Sequence, residues 1–257
     1  MATSREPILN IPGAMTALVG LLVAIHLFRL ALPVESDETI IWTFGFVPAR
    51  YDATLLAFPI PGGAGAKVWS FVTYALLHAD WGHLAFNILW FLPFGSALAR
   101  RLSVLRFLGL MIVSAVAGAG AHLLTHAHEI APMIGASAMV SGAMGAALRF
   151  AFERGSFLSF RRRRDDADAA AQVPAVSLVK AFSNPQVLAF LAVWFGINIV
   201  FGIGSIAIGT QAQSIAWQAH IGGFLAGLLL FSLFDPVPRA GQTYRVPSDA
   251  GDRDGLA

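Results

Sequence analysis

The feature that most constrains this chain is a series of apolar stretches close to the length that crosses a lipid bilayer. A helix needs about 20 mostly apolar residues to span a hydrocarbon core of roughly 30 Å. Six stretches approach that length, at about 12–33, 82–99, 103–125, 136–152, 185–204 and 216–234. Inside lipid each backbone N–H and C=O must be paired, and a helix does this within one segment. The expectation is an all-α polytopic membrane protein with six transmembrane helices. Composition agrees: 56% of the 257 residues are hydrophobic and 12% are charged, against about 25% charged in soluble domains. That excludes a disordered polar chain, and a soluble globule would expose too much apolar surface. The absence of Cys removes disulfides and thiolate chemistry.

The first stretch is expected to be a retained helix, not a cleaved signal. It is longer than the usual apolar region of about 7–15 residues, only Arg5 flanks it, and Arg29 interrupts its far end. The basic residues alternate between connections. Fourteen of the 17 lie in the N-terminal arm, the second and fourth connections and the C-terminal tail, leaving Arg29, Arg50 and Lys67 opposite. The positive-inside rule then places both termini in the cytoplasm. The chain divides into a cytoplasmic arm (1–11), a membrane domain (12–235) and a disordered cytoplasmic tail (236–257). Within the domain, 34–77 is an external connection. Its Trp42, Phe44, Phe46, Tyr51, Phe58 and Trp69 suit the headgroup layer; a folded cap with no direct role is the alternative. Residues 153–180 form a cytoplasmic loop whose Arg161–Arg164 run reads as an orientation signal.

Polar side chains at membrane depth are costly and mark functional candidates. No Asp or Glu lies deep in the six stretches, which removes an aspartyl dyad. His128-Glu129 continues as Ile-Ala-Pro, so the HExxH pattern of zinc proteases is absent. His122, His126 and His128 have metal-like spacing, but their place at the end of the third stretch favours a wetted helix terminus, and no metal site is expected. What remains is Ser, His and Asn. His220, Gly223 and Gly227 share one face of the sixth stretch; Ser137, Ser141 and Gly145 share one face of the fourth. Small residues let helices approach closely in lipid. If those faces meet, Ser137 and His220 come within hydrogen-bond reach. Plain small-residue packing, with His220 as a satisfied polar group, is the competing reading. His83 and Asn87 lie one turn apart on the second stretch, and both can donate to an oxyanion.

His78-Ala-Asp-Trp-Gly-His83-Leu-Ala-Phe-Asn87, Gly135-Ala136-Ser137 and Ala219-His220-Ile221-Gly222-Gly223 together resemble the rhomboid family of intramembrane serine proteases, in order and in spacing. The resemblance covers roughly 12–235 and implies a six-helix rhomboid-like bundle. It implies that Ser137 is the nucleophile, His220 its general base, and His83, Asn87 and the Ser137 N–H the oxyanion hole. His78 holds the start of the second helix. The fifth helix and the 205–215 connection act as gate and cap. It further implies a serine endopeptidase that cleaves transmembrane segments of membrane proteins without a cofactor. The expected partners are those substrates and the bilayer, with no nucleic acid, and the setting is a prokaryotic cytoplasmic membrane; the oligomeric state is left open. A rhomboid-like pseudoprotease that binds membrane helices is the alternative. Three positions depart from the family pattern: Ala138 follows the Ser where Gly is usual, Ser141 replaces an aromatic that packs on the catalytic His, and Trp69-Ser70 replaces Trp-Arg. Ser141 is also a rival nucleophile.

Overall fold

The computed structural model describes residues 11–55, 60–153, 156, 158, 171–203 and 216–238. Helix α1 spans Gly13–Leu30, α2 Val34–Phe44, α3 Gly63–Thr73, α4 Trp81–Arg101, α5 Val104–Thr125, α6 Ser137–Ala147, α7 Leu178–Phe182, α8 Pro185–Ile203 and α9 Trp217–Phe234. Four of them, α1, α4, α5 and α9, are long and apolar enough to cross a membrane. The molecule is a polytopic helical membrane protein. The N-terminal arm through Asn10, the Arg161–Arg164 run, the 205–215 connection and the tail beyond 238 lie outside the described residues.

Helix α6 is shorter than its apolar stretch. It runs for 11 residues, and Leu148–Phe152 continue as turns. Every residue from Ala138 to Ala147 is buried. An enclosed helix is surrounded by protein, so it need not match the lipid thickness alone. Its Ala and Gly content permits the enclosure. A Cβ on Gly223 would overlap the Ala138 carbonyl, and one on Gly227 the Gly142 carbonyl. Those pairs increase together, so α6 and α9 run parallel. Gly118 faces Ala138 and Ser114 faces Gly142, so α5 runs antiparallel to α6. Helix α1 packs on α4, where a Cβ on Gly95 would meet Met15 Sδ at 2.8 Å. It adds Met15, Leu18 and Leu22 to the core.

The segment between α1 and α4 is folded. Phe46 and Met133 exchange backbone hydrogen bonds of 3.0 and 2.8 Å, and the Ala49 N–H donates to the Glu129 carbonyl at 2.9 Å. Phe44 and Trp69 are exposed. Phe46 differs from expectation. It is fully buried, against Phe71 (4.9 Å between ring centroids), Tyr51 and Tyr74. The cause is the bridge to Met133, which turns this ring inward. Phe58 lies outside the described residues. Arg29 ties the segment to the bundle. It forms a bidentate pair with Asp37 (2.6 and 3.0 Å) and donates to the His78 carbonyl at 2.6 Å.

The other end of the bundle is closed by Arg101. Its guanidinium pairs with Asp235 at 2.8 and 2.9 Å and donates to the carbonyls of Ala171 and Val173 at 2.6 and 2.7 Å. It also lies 4.4 Å over the Phe150 ring.

Candidate active site

Helix α6 begins at Ser137 because the backbone before it is held on three sides. Gly135 takes φ +127°, a conformation that side chains disfavour. A Cβ there would also sit 2.7 Å from His83 Nε2, so glycine is needed twice over. The Gly135 N–H donates to the Tyr74 carbonyl at 3.0 Å, and the Ala136 N–H donates to His78 Nε2 at 3.3 Å. As the first helical residue, Ser137 carries an N–H with no intrahelical acceptor, at the positive end of the helix dipole.

His83 is placed by the start of α4. Asp80 caps the helix, its carboxylate accepting the His83 N–H at 2.8 Å. The His83 ring stands at 5.1 Å, edge to face, with the buried His78 ring. Asn87, one turn on, donates from Nδ2 to the His83 carbonyl at 3.0 Å. That leaves a second amide hydrogen and Oδ1 unspent. His78 therefore does connect the start of α4 to the segment preceding Ser137. Burial is the main reason its imidazole is held down to about 3, with the neighbouring His83, His26 and Arg29 adding to the effect. A neutral ring is what accepting the Ala136 N–H requires.

His220 lies three residues before Gly223 on α9, and Ser137 directly precedes Ala138 on α6. The Gly223–Ala138 backbone contact thus puts both side chains at the same end of a parallel helix pair. Ser137 and His220 are both partly accessible, whereas Ser141 is 3% exposed. Among the described residues, no hydrogen bond joins the Ser137 hydroxyl to His220. The His220 ring is held from the other side. Its Nδ1 lies 2.6 Å from Asn198 Oδ1. The Asn198 amide is oriented by the Trp194 carbonyl, which accepts from Nδ2 at 2.9 Å. Its oxygen therefore faces His220. A hydrogen on Nδ1 follows, and Nε2 keeps its lone pair.

Asn198 is visible in the sequence as a polar residue at membrane depth, but nothing there assigns it a role. Its partner is 22 residues away on another helix. Ala138 also reads differently in space. Its methyl points at α5, where Gly118 leaves room: a Cβ on Gly118 would lie 2.5 Å from Ala138 Cβ. The extra methyl is accommodated between helices. At the end of α5, His122 is buried, not wetted. His128 has left that cluster to pair with Asp52.

Comparison with known proteins matches the chain to the Rhomboid domain over residues 65–235. The chain is similar to the Rhomboid protease GlpG of Yersinia pestis (strain Pestoides F) and of Yersinia pseudotuberculosis serotype O:3 (strain YPIII). Each is 29% identical over 176 residues, covering 68% of this chain and 51% of the relative. The chain thus spans about half the length of the curated relatives it matches. With the domain match extending over most of the helical bundle, the chain belongs to the rhomboid family.

Proposed function

We propose that the chain is an intramembrane serine endopeptidase that cuts transmembrane segments with a Ser137–His220 dyad. One observation carries the reading. The 2.6 Å tie from Asn198 to His220 Nδ1 leaves Nε2 basic, at the end of α9 that meets the start of α6. Ser137 Oγ attacks the scissile carbonyl as Nε2 takes its proton. The Ser137 N–H, His83 and the second Asn87 amide hydrogen stabilise the oxyanion. Nε2–H then protonates the leaving nitrogen as the C–N bond breaks. Water, deprotonated by the same nitrogen, hydrolyses the acyl-enzyme to a carboxylic acid and restores the Ser137 hydroxyl.

The substrate is a transmembrane helix that unwinds near its external end and carries small residues at the cut. The gate is α8, whose side toward lipid shows Leu188, Val193 and Phe195 and whose inner side stacks Trp194 on Phe224 at 4.6 Å. Cytoplasmic termini follow from the charge asymmetry, the six apolar stretches supply an even number of spans, and the short connections suit a prokaryotic cytoplasmic membrane. The partition into an arm to residue 11, a domain to 235 and a tail rests on the same reading.

A pseudoprotease that holds membrane helices is the second reading. The missing Ser137–His220 hydrogen bond favours it, although such contacts commonly tighten only once substrate is bound. One experiment separates the two. A fluorophosphonate probe should label the wild type at Ser137, and a model transmembrane substrate should be cleaved. Ser137→Ala and His220→Ala should each abolish cleavage. Cleavage that survives Ser137→Ala rejects the nucleophile assignment, and loss confined to Ser141→Ala transfers it. A folded wild type that neither labels nor cleaves supports the pseudoprotease.

A further inference from the structure

Three side chains at the end of α5 form a cluster that the proposed dyad does not use. One nitrogen each from His122 and His126 and one oxygen of Glu129 all lie within 4.8 Å of one another. His122 Nε2 and Glu129 Oε2 are 3.1 Å apart, close to the roughly 3.3 Å between ligands that share a tetrahedral zinc at about 2.0–2.1 Å. They are not aligned as a hydrogen bond: Glu129 Oε2 is buried and has no hydrogen-bond partner, and neither has His122 Nδ1. Two close polar atoms that do not bond each other are the arrangement expected around a common cation. The His122 and His126 rings are stacked, with centroids 4.9 Å apart. His-x3-His at a helix end aims both rings the same way.

The tautomer of His126 fits as well. The Thr125 hydroxyl donates its one hydrogen to the carbonyls of Ala121 and His122, at 3.0 and 3.1 Å. With that hydrogen on either carbonyl, the hydroxyl accepts from His126 Nδ1, 2.9 Å away. That arrangement keeps the hydrogen on Nδ1 and Nε2 as a lone pair, the way an outer partner prepares a metal-binding His. The turn that brings Glu129 back is held by the Glu129 N–H donating to the His126 carbonyl at 3.0 Å and by Ala49 donating to the Glu129 carbonyl at 2.9 Å. The fourth side is Gln218 of α9, whose amide lies 3.5 Å from His126 Nε2.

The geometry points to a divalent transition-metal site, built by His122, His126 and Glu129, that takes Zn2+ in preference to Ca2+ or Mg2+. Two imidazoles and one carboxylate suit zinc and are poor ligands for the hard cations. Water or the Gln218 carbonyl oxygen, after an amide rotation, completes four ligands. A bound ion pins the end of α5 and the 126–129 turn to the first turn of α9, two residues before His220. The site stands independently of the protease assignment.

The test is metal binding by the full chain, purified without a polyhistidine tag and stripped with chelator. Zn2+ is titrated in competition with a chromogenic chelator. Co2+ is titrated separately and followed by its visible absorption, which is intense only in tetrahedral sites. One equivalent should bind, and Zn2+ should raise the melting temperature. His122→Ala, His126→Ala and Glu129→Gln should each weaken Zn2+ binding at least tenfold. His128→Ala should change it less than twofold, because His128 faces Asp52. Glu129→Gln keeps the size and shape of the side chain, and its melting temperature in chelator should equal that of the wild type in chelator. Absence of saturable one-to-one binding overturns the site. So does unchanged affinity in Glu129→Gln, or a loss in His128→Ala as large as in the other variants.

Discussion

On the proposed mechanism Asn198 is a positioning residue that acts through His220. Removing its oxygen releases Nδ1 and lets the ring choose either tautomer and rotate. Asn198→Ala is expected to lower kcat roughly tenfold to a hundredfold, the scale of a small misplacement of a reacting group. KM should stay near the wild-type value, because Asn198 lies behind the base. Asn198→Asp keeps an acceptor for Nδ1–H and should retain more activity than Asn198→Ala. Equal losses in both variants would mean that the residue only packs. His78 gives a prediction about pH. Its pKa falls from about 6.5 to about 3 on folding, chiefly through burial, so the folded state binds fewer protons than the unfolded one in between. Its contribution is fully present above about pH 6.5. It falls by about 1.4 kcal/mol per pH unit as the pH drops toward 3. His78→Gln should flatten that part of the stability-against-pH curve measured by denaturant unfolding. An unchanged slope would assign the acid sensitivity to another group. The sequence marks Asn198 only as a polar residue among apolar ones, whereas His78 stands out by its spacing to His83 and Asn87. Ser137, His83 and Asn87 are legible because their relation is local or follows a spacing. The tie from Asn198 to His220 is a contact between two helices, and no spacing encodes it.

At the scale of the element, the contact between α5 and α6 explains how Ala138 is tolerated. Gly118 is the complement of that methyl. Gly118→Ala puts two Cβ atoms 2.5 Å apart, and overpacking of this kind costs about 1–3 kcal/mol. It should lower the melting temperature and displace the start of α6, with loss of activity. Gly118→Ala combined with Ala138→Gly should recover part of both. Recovery is partial because a Cβ at 118 still meets the Ala219 carbonyl at 2.9 Å and the Tyr74 hydroxyl at 3.0 Å. Additive effects in the double variant would show that the two positions do not share the space. The long helices are legible in the sequence, since α4, α5 and α9 follow their apolar runs to within a few residues. Helix α6 is less so. Its Ala and Gly content marks close packing, but only the surrounding helices reveal that it is enclosed and ends at Ala147. The 34–77 segment is the least legible. Its apolar content suggests contact with lipid, while the Phe46–Met133 bridge and the buried Phe46 cluster are long-range pairings with no periodic signal.

At the scale of the whole molecule, the two ends of the bundle are built differently. The Ser137 end is held by the partly exposed Arg29–Asp37 pair, by single hydrogen bonds and by the turn at Gly135. The opposite end is clasped by Arg101, which joins the last turn of α4 to Asp235 just past α9 and to the 171–173 segment. Both side chains of the Arg101–Asp235 pair are almost wholly buried, at 0% and 6% exposed. Breaking a buried pair leaves one charge uncompensated, at a cost of about 3–5 kcal/mol. Arg101→Ala also removes the donors to the Ala171 and Val173 carbonyls and the cation over Phe150, so the upper part of that range applies. Replacing both partners with apolar residues of similar volume, Arg101→Met with Asp235→Leu, leaves no stranded charge and should recover much of the loss. Unfolding in mixed micelles measures both variants. Far below its melting temperature, Arg101→Ala should still label with the fluorophosphonate probe at close to the wild-type rate, because the clasp and the site lie at opposite ends of α9. A variant that loses labelling while remaining folded would show the two ends to be coupled through α9, and the clasp would then act on the site as well as on the stability of the bundle.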